Sequence, residues 1–269
     1  MSPAPQSLAL VGAGKMGAAL LGGWLAAGLD PRRIAVYDPH AAPAIAALAA
    51  EKGFALNPAP ASAQAVVLAI KPQMLDAAAP ALAPLFGADS VLISILAGKT
   101  LANLAARLPV AAIVRAMPNT PAAIGRGITG AFAGPAVSPA QKEQAHFLLG
   151  GVGAVEWVAS ESLIDAVTAI SGSGPAYVFH LVEALAQAGA ALGLPEDLAL
   201  RLARATVEGS GELLARSPDT PVEILRKNVT SPGGTTEAAL AVLMAPDGHA
   251  DLMARATAAA ARRAGELSG

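Results

Sequence analysis

Residues 8–25 read LALVGAGKMGAALLGGWL. A short apolar run leads into Gly12-Ala13-Gly14-Lys15-Met16-Gly17, and a helix-forming segment follows at once. Each glycine has a mechanical reason. Gly12 permits a tight turn, Gly14 lets the backbone approach a pyrophosphate, and Gly17 lets helix and strand pack closely. Phosphates would then rest on the free N–H groups at the helix start. This stretch therefore predicts the opening of a Rossmann-like doubly wound domain, with dinucleotide contacts from residues 12 to 17.

The next apolar run ends at Asp38, in AVYDPH. An acid there hydrogen-bonds the adenosine ribose diol and disfavours a 2′-phosphate. By itself this argues for NADH; the competing reading is a turn aspartate ahead of Pro39. Arg32 and Arg33 lie before the strand, at its opposite end.

The pattern continues for about 158 residues as short apolar runs alternating with helical segments. Strands are expected at 8–11, 34–37, 66–70, 91–95, 113–115, 128–132 and 155–158. Several are continuous apolar runs, as in strands buried on both faces of a mainly parallel sheet. Helices are expected at 15–27, 43–52, 73–82, 101–108 and 139–149. Ser138-Pro139-Ala140-Gln141 opens the last with an N-cap, a first-turn proline and a capping-box glutamine. Beyond Ser160 only helices are expected, at 175–192, at 195–216, in a short helix opened by the capping box Thr220-Pro221-Val222-Glu223, at 236–244 and at 251–267. The fold class is thus α/β, with a Rossmann-like dinucleotide-binding domain at 1–159 and an all-helical domain at 160–269. Two more loops leave carboxyl ends of strands, where ligands bind in this architecture. They are Ala69-Ile70-Lys71-Pro72 and Ile95-Leu96-Ala97-Gly98. Lys71 reads either as a phosphate or ribose contact or as a solvated charge.

Composition closes off other classes. The net charge of −2 offers no electrostatic case for nucleic acid. Cysteine is absent, which excludes disulfides and thiolate metal sites and fits a reducing cytoplasm. Hydrophobic residues make up 54% and charged ones 14%. The long uncharged run 53–70 nevertheless contains Asn57, Pro58, Pro60, Ser62 and Gln64, so no membrane span is expected. MSPAPQS lacks the basic start and apolar stretch of a signal peptide. Helices so thinly charged imply faces covered by another subunit. His40, His146, His180 and His249 are scattered, and no metal site is expected.

Three further segments carry a resemblance: RAMPNTPAAIGRG at 115–127, ESLIDAVTAISGSGPAYVF at 161–179 and NVTSPGGTTEAAL at 228–240. Together, in order and spacing over nearly the whole chain, they resemble the pyrroline-5-carboxylate reductase family. The resemblance implies reduction of 1-pyrroline-5-carboxylate to L-proline with NADPH or NADH, and a homodimer built on the helical domain or a ring of such dimers. It implies Thr236 as hydrogen-bond donor to the ring nitrogen, assisted by Thr235. Ser231, Gly233 and Gly234 would form the substrate carboxylate's seat with them. It also implies Glu161 near the substrate, Asn228 touching substrate and cofactor, and Asn119 shaping the loop beneath the nicotinamide. The SPGGTT stretch suits that role physically, because helix-start amides with flanking glycines seat a small anion. Plain N-capping is the competing reading of the two threonines. Two departures stand out. Met244 falls where the family carries a polar residue, and Asp38 falls where many members place a small polar one. The rival readings are a β-hydroxyacid dehydrogenase, another cyclic-imine reductase, or a non-catalytic dinucleotide sensor. The first needs a lysine on the interdomain helix, and none occurs between Lys142 and Lys227.

Overall fold

A computed structural model describes residues 4–268. The first three residues of the segment read above as lacking a signal peptide, and the last residue of the expected helical domain, lie outside the described residues. The chain divides into two compact units. The first holds everything up to Gly172 together with residues from Ala260 onward; the second is Ser173–Ala259.

In the first unit, β1 (Leu8–Val11), α1 (Lys15–Ala26), β2 (Ile34–Tyr37), α2 (Pro43–Lys52) and β3 (Ala55–Leu56) come first. They are followed by β4 (Ala63–Leu68), α3 (Leu75–Leu82), β5 (Phe86–Ser94), α4 (Leu101–Ala105) and β6 (Ala112–Met117). Then come β7 (Gly127–Ala133), α5 (Pro139–Gly150), β8 (Gly153–Trp157) and α6 (Leu163–Val167). The strands form one sheet in the order β3-β2-β1-β4-β5-β6-β7-β8. Every pairing is parallel except β6 with β7. The chain therefore reverses its winding at β1, whose neighbours are β2 and β4, and a doubly wound sheet opens its ligand crevice at such a point.

Burial explains why these runs are strands. Leu8, Leu10, Val66, Val67, Leu92 and Ile93 are almost wholly buried, because helices cover both faces of the sheet. One core packs Leu20, Leu21 and Trp24 of α1 with Leu148 and Leu149 of α5. The other packs Leu75 and Leu82 of α3 with Leu104 of α4. Trp24 is 1% exposed, and its indole N–H donates to Leu148 O at 2.7 Å, so its polar end costs nothing on burial.

The second unit holds α7 (Gly174–Ala191), α8 (Glu196–Arg216), α9 (Val222–Asn228), α10 (Thr235–Leu243) and the start of α11 (His249–Ser268). It buries little by itself. Helices α7, α9 and α10 have no buried residue, and α8 has only Ala199 and Ala203.

Some features differ from expectation. The two-residue β3 is too short for a periodicity signal. Helix α6 was not expected, and a π-turn at Thr168–Gly172 joins its end towards α7. The compact units part at Gly172, and α6 stays with β6, to which Arg115 ties it, as described below. Among the described residues no cluster of metal-ligating side chains occurs, and no helix is long and apolar enough to cross a membrane.

Candidate active site

The glycine loop is built by close approach. Gly12 has φ +92°, where side-chain-bearing residues are strained, and a Cβ there would lie 2.8 Å from Ala69 O. A Cβ on Gly17 would lie 2.1 Å from Gly12 O, so α1 could not sit this near β1 with any other residue. Gly14 is the opposite case. It is exposed, it occupies the N-cap of α1 without a side-chain cap, and a Cβ on it would meet nothing within 4 Å. Lys15 is exposed beside it and Met16 is half-buried.

Around this loop the sheet brings four expected segments together. Gly12 N–H donates to Tyr37 O, Ala69 N–H to Val11 O, and Ile95 N–H to Leu68 O, so the carboxyl ends of β1, β2, β4 and β5 lie side by side. Ala69 and Ile70 adjoin Gly12, and Lys71 and Pro72 start a short 3-10 turn with the lysine exposed. Ala97 is exposed in the loop after β5. Asp38 makes the turn weighed for it and also reaches the glycine loop. Its Oδ1 accepts from His40 N–H at 2.9 Å, closing the turn at Pro39, and its Oδ2 accepts from Ala13 N–H at 2.8 Å, inside the glycine loop.

Asn119 is buried and uses both ends of its amide. Its Oδ1 accepts from Ile128 N–H at 3.0 Å, and its Nδ2 donates to Ser171 O at 3.1 Å in the π-turn. Such π-turns occur frequently at functional sites. Glu161 is held too. Its Oε1 accepts from Leu101 N–H at 2.8 Å, at the start of α4, and from Arg115 Nη1 at 3.2 Å. Arg115 Nη2 reaches Asp165 Oδ1 at 3.3 Å. The Arg115 side chain is only 4% exposed, so these two acids meet the cost of burying a guanidinium. Arg115 and Asp165 lay inside the quoted segments but drew no role from sequence, because nothing local shows that β6 and α6 meet.

In the second unit, the remaining expected residues gather where α9 passes into α10. Asn228 ends α9 and is exposed. Gly233 has φ +70°, and Gly234 is the N-cap of α10 without a side-chain cap. Gly234 N–H donates to Ser231 O at 3.0 Å, closing the turn, and Gly233 N–H donates to Glu237 Oε2 at 2.7 Å. The helix starts at Thr235, one residue before the expected start, and its first i→i−4 bond is made by Ala238 N–H. The amides of Thr235, Thr236 and Glu237 are therefore the helix's first-turn donors. Neither threonine hydroxyl caps the helix, which removes plain N-capping as their explanation. Met244 follows the end of α10, where its sulfur accepts from Arg226 Nη1 at 2.9 Å. The departure at this position is thus a local packing contact.

Comparison with known proteins agrees with this layout. A pyrroline-5-carboxylate reductase from Pseudomonas aeruginosa is 43% identical over 268 residues, covering 97% of this chain and 96% of that protein. The chain belongs to the pyrroline-5-carboxylate reductase family. A second member, from Synechocystis, is 41% identical with 97% of each chain covered. Residues 161–267 match the family model for pyrroline-5-carboxylate reductase dimerisation, so the helical region is a dimerisation domain of this family. Residues 7–98 match the model described as NADP oxidoreductase, coenzyme F420-dependent. The structure of a pyrroline-5-carboxylate reductase from Coxiella burnetii superposes with a TM-score of 0.90 at 36% identity, over 98% of this chain and 99% of that one. That of the Plasmodium falciparum pyrroline carboxylate reductase, solved with NADP bound, gives 0.79 at 28% identity, with 98% of each covered.

Proposed function

We propose that this chain reduces 1-pyrroline-5-carboxylate to L-proline with NADPH or NADH, in the cytoplasm, as a homodimer or a ring of dimers. The dinucleotide, when bound, supplies the hydride. Residues 1–159 serve as its domain and 160–269 as the substrate and dimerisation domain. Gly12, Ala13, Gly14, Lys15, Met16 and Gly17 seat the pyrophosphate, with Asp38 at the ribose. Ala69, Ile70, Lys71, Pro72 and Ala97 line the neighbouring strand ends. Asn119 sets the loop beneath the nicotinamide, and Asn228 touches both cofactor and substrate.

The observation that carries the reading is the start of α10. The substrate is a small ring with one carboxylate, and the turn at Ser231, Gly233 and Gly234 leads into the first-turn amides of Thr235 and Thr236, while Gly233 N–H is taken by the Glu237 carboxylate. Such helix-end contacts contribute roughly 0.3–2 kcal/mol, so their larger value is orientation. A neutral imine is a poor hydride acceptor. A donor at its nitrogen draws electron density from the C=N bond, and the uncapping Thr236 hydroxyl is assigned that donation, with Thr235 beside it. Glu161 keeps its Oε2 for a substrate contact while Oε1 braces Leu101.

Loss of absorbance at the reduced-nicotinamide band on adding 1-pyrroline-5-carboxylate tests the activity; no consumption with either cofactor overturns it. Replacing Thr236 by Ala should lower kcat by about 100-fold. Because that hydroxyl is no cap, Tm should move by less than about 3 °C. A parallel fall in stability and activity would return Thr236 to a structural part.

A further inference from the structure

Asn57 is the one described residue other than glycine with positive φ, at +49°. It directly follows β3 and is exposed, so no core packing demands that conformation. Its bonds do. Asn57 N–H donates to Val36 O at 2.7 Å, its Oδ1 accepts from Asp38 N–H at 2.8 Å, and its Nδ2 donates to Asp38 O at 2.9 Å. The side chain thus continues the β3–β2 ladder by one residue after the strand itself has stopped. Asparagine suits this because it tolerates the left-handed region and its amide copies a peptide group.

What is clamped is the backbone of Asp38, and its carboxylate is fixed in turn by Ala13 N–H of the glycine loop. A carboxylate has about four lone-pair positions, and backbone donors at Ala13 and His40 use two. Two remain to accept from the two hydroxyls of a ribose diol. A 2′-phosphate offers neither hydroxyl and brings negative charge against negative charge. A mobile aspartate could swing away from that phosphate, whereas one pinned at its main chain and at both oxygens cannot do so without breaking bonds.

We propose that Asn57 is a positioning residue which, by holding Asp38 against the glycine loop, makes this chain discriminate in favour of NADH over NADPH. The inference rests on the reading that the glycine loop seats the dinucleotide.

The test compares dissociation constants, from quenching of intrinsic fluorescence, and steady-state rates with both cofactors on the full-length protein. Wild type should favour NADH by at least about tenfold in kcat/KM. Asn57→Gly keeps a backbone suited to positive φ and removes the amide. It should shrink the NADH:NADPH ratio about fivefold or more, chiefly by raising KM for NADH, with kcat at saturating NADH within about twofold. Asn57→Asp retains the acceptor for Asp38 N–H and loses the donor, so its ratio should fall between the two. That variant decides the matter should Asn57→Gly fail to fold. A wild type that favours NADPH overturns the proposal, as does a ratio unmoved in the folded variant. Gly14→Asp separates the two levels of inference. If it abolishes binding of both dinucleotides while Asn57→Gly leaves the ratio alone, only the role of Asn57 falls. If Gly14→Asp binds both as wild type does, the seat itself has been misassigned and the proposal falls with it.

Discussion

Gly14 and Gly17 stand three residues apart in one motif, yet they are glycines for different reasons. A methyl on Gly17 would drive into Gly12 O, which is backbone and cannot rotate away. Gly17→Ala should therefore cost about 1–3 kcal/mol of stability, read by chemical denaturation, because α1 must lift from β1. Gly14 has ordinary backbone angles and open space around it. Gly14→Asp should leave the denaturation midpoint unchanged or raise it, since Asp is a favourable N-cap, while weakening NADH and NADPH binding more than tenfold through charge repulsion. A loss of stability in both variants would mean the motif serves packing alone. The same contrast holds for Asp38 and Asn57, one legible from its place at a strand end and the other only from its bonds.

At the scale of elements, the joint between β6, α4 and α6 shows what a spacing rule misses. Arg115 ends up buried because β6 lies inside the sheet, and two acids from one turn of α6 and the loop before it follow it in. Glu161 simultaneously accepts from the first amide of α4, a favourable place for a negative charge. Glu161→Gln should thus destabilise the fold by about 1–3 kcal/mol, measured by denaturant titration, since the buried Arg115 guanidinium loses the charge of one of its acid partners. A variant as stable as wild type with depressed activity would instead place Glu161's value wholly at the substrate. Boundaries of elements were legible where caps announce them. Ser138 and Gln141 form the anticipated capping box, and α5 starts at Pro139 as read. The helix at 101 stops at Ala105, short of its apolar continuation, because Leu108 turns into the core from the loop.

For the whole molecule, the two units contrast in what they hide. The first covers a sheet on both faces. The second leaves Phe179 63%, Leu192 88% and Val242 72% exposed, far more apolar surface than thinly charged helices need in a finished assembly. Val178, Phe179 and Val182 of α7 line an open groove with Leu200 and Val207 of α8. Family membership makes a second copy the occupant to expect. Phe179→Glu should shift sedimentation from dimer to monomer and remove the dependence of Tm on protein concentration. Wild-type protein sedimenting as a monomer at micromolar concentration would refute the homodimer.

The linear order of residues was enough for the doubly wound class, for the tight glycine loop, for most strands and helices, and for the family. These rest on local steric rules and periodic burial, which act over a few residues and leave marks in the same few residues. Tertiary structure alone decided that Asp38 reaches Ala13, that Asn57 clamps Asp38, that Glu161 and Asp165 meet Arg115, and that Thr235 and Thr236 are free of capping duty. Each of those depends on which distant segments become neighbours. A hydrogen bond across tens of residues leaves no periodic trace, because its partners need only be polar and correctly aimed once the chain has closed around them.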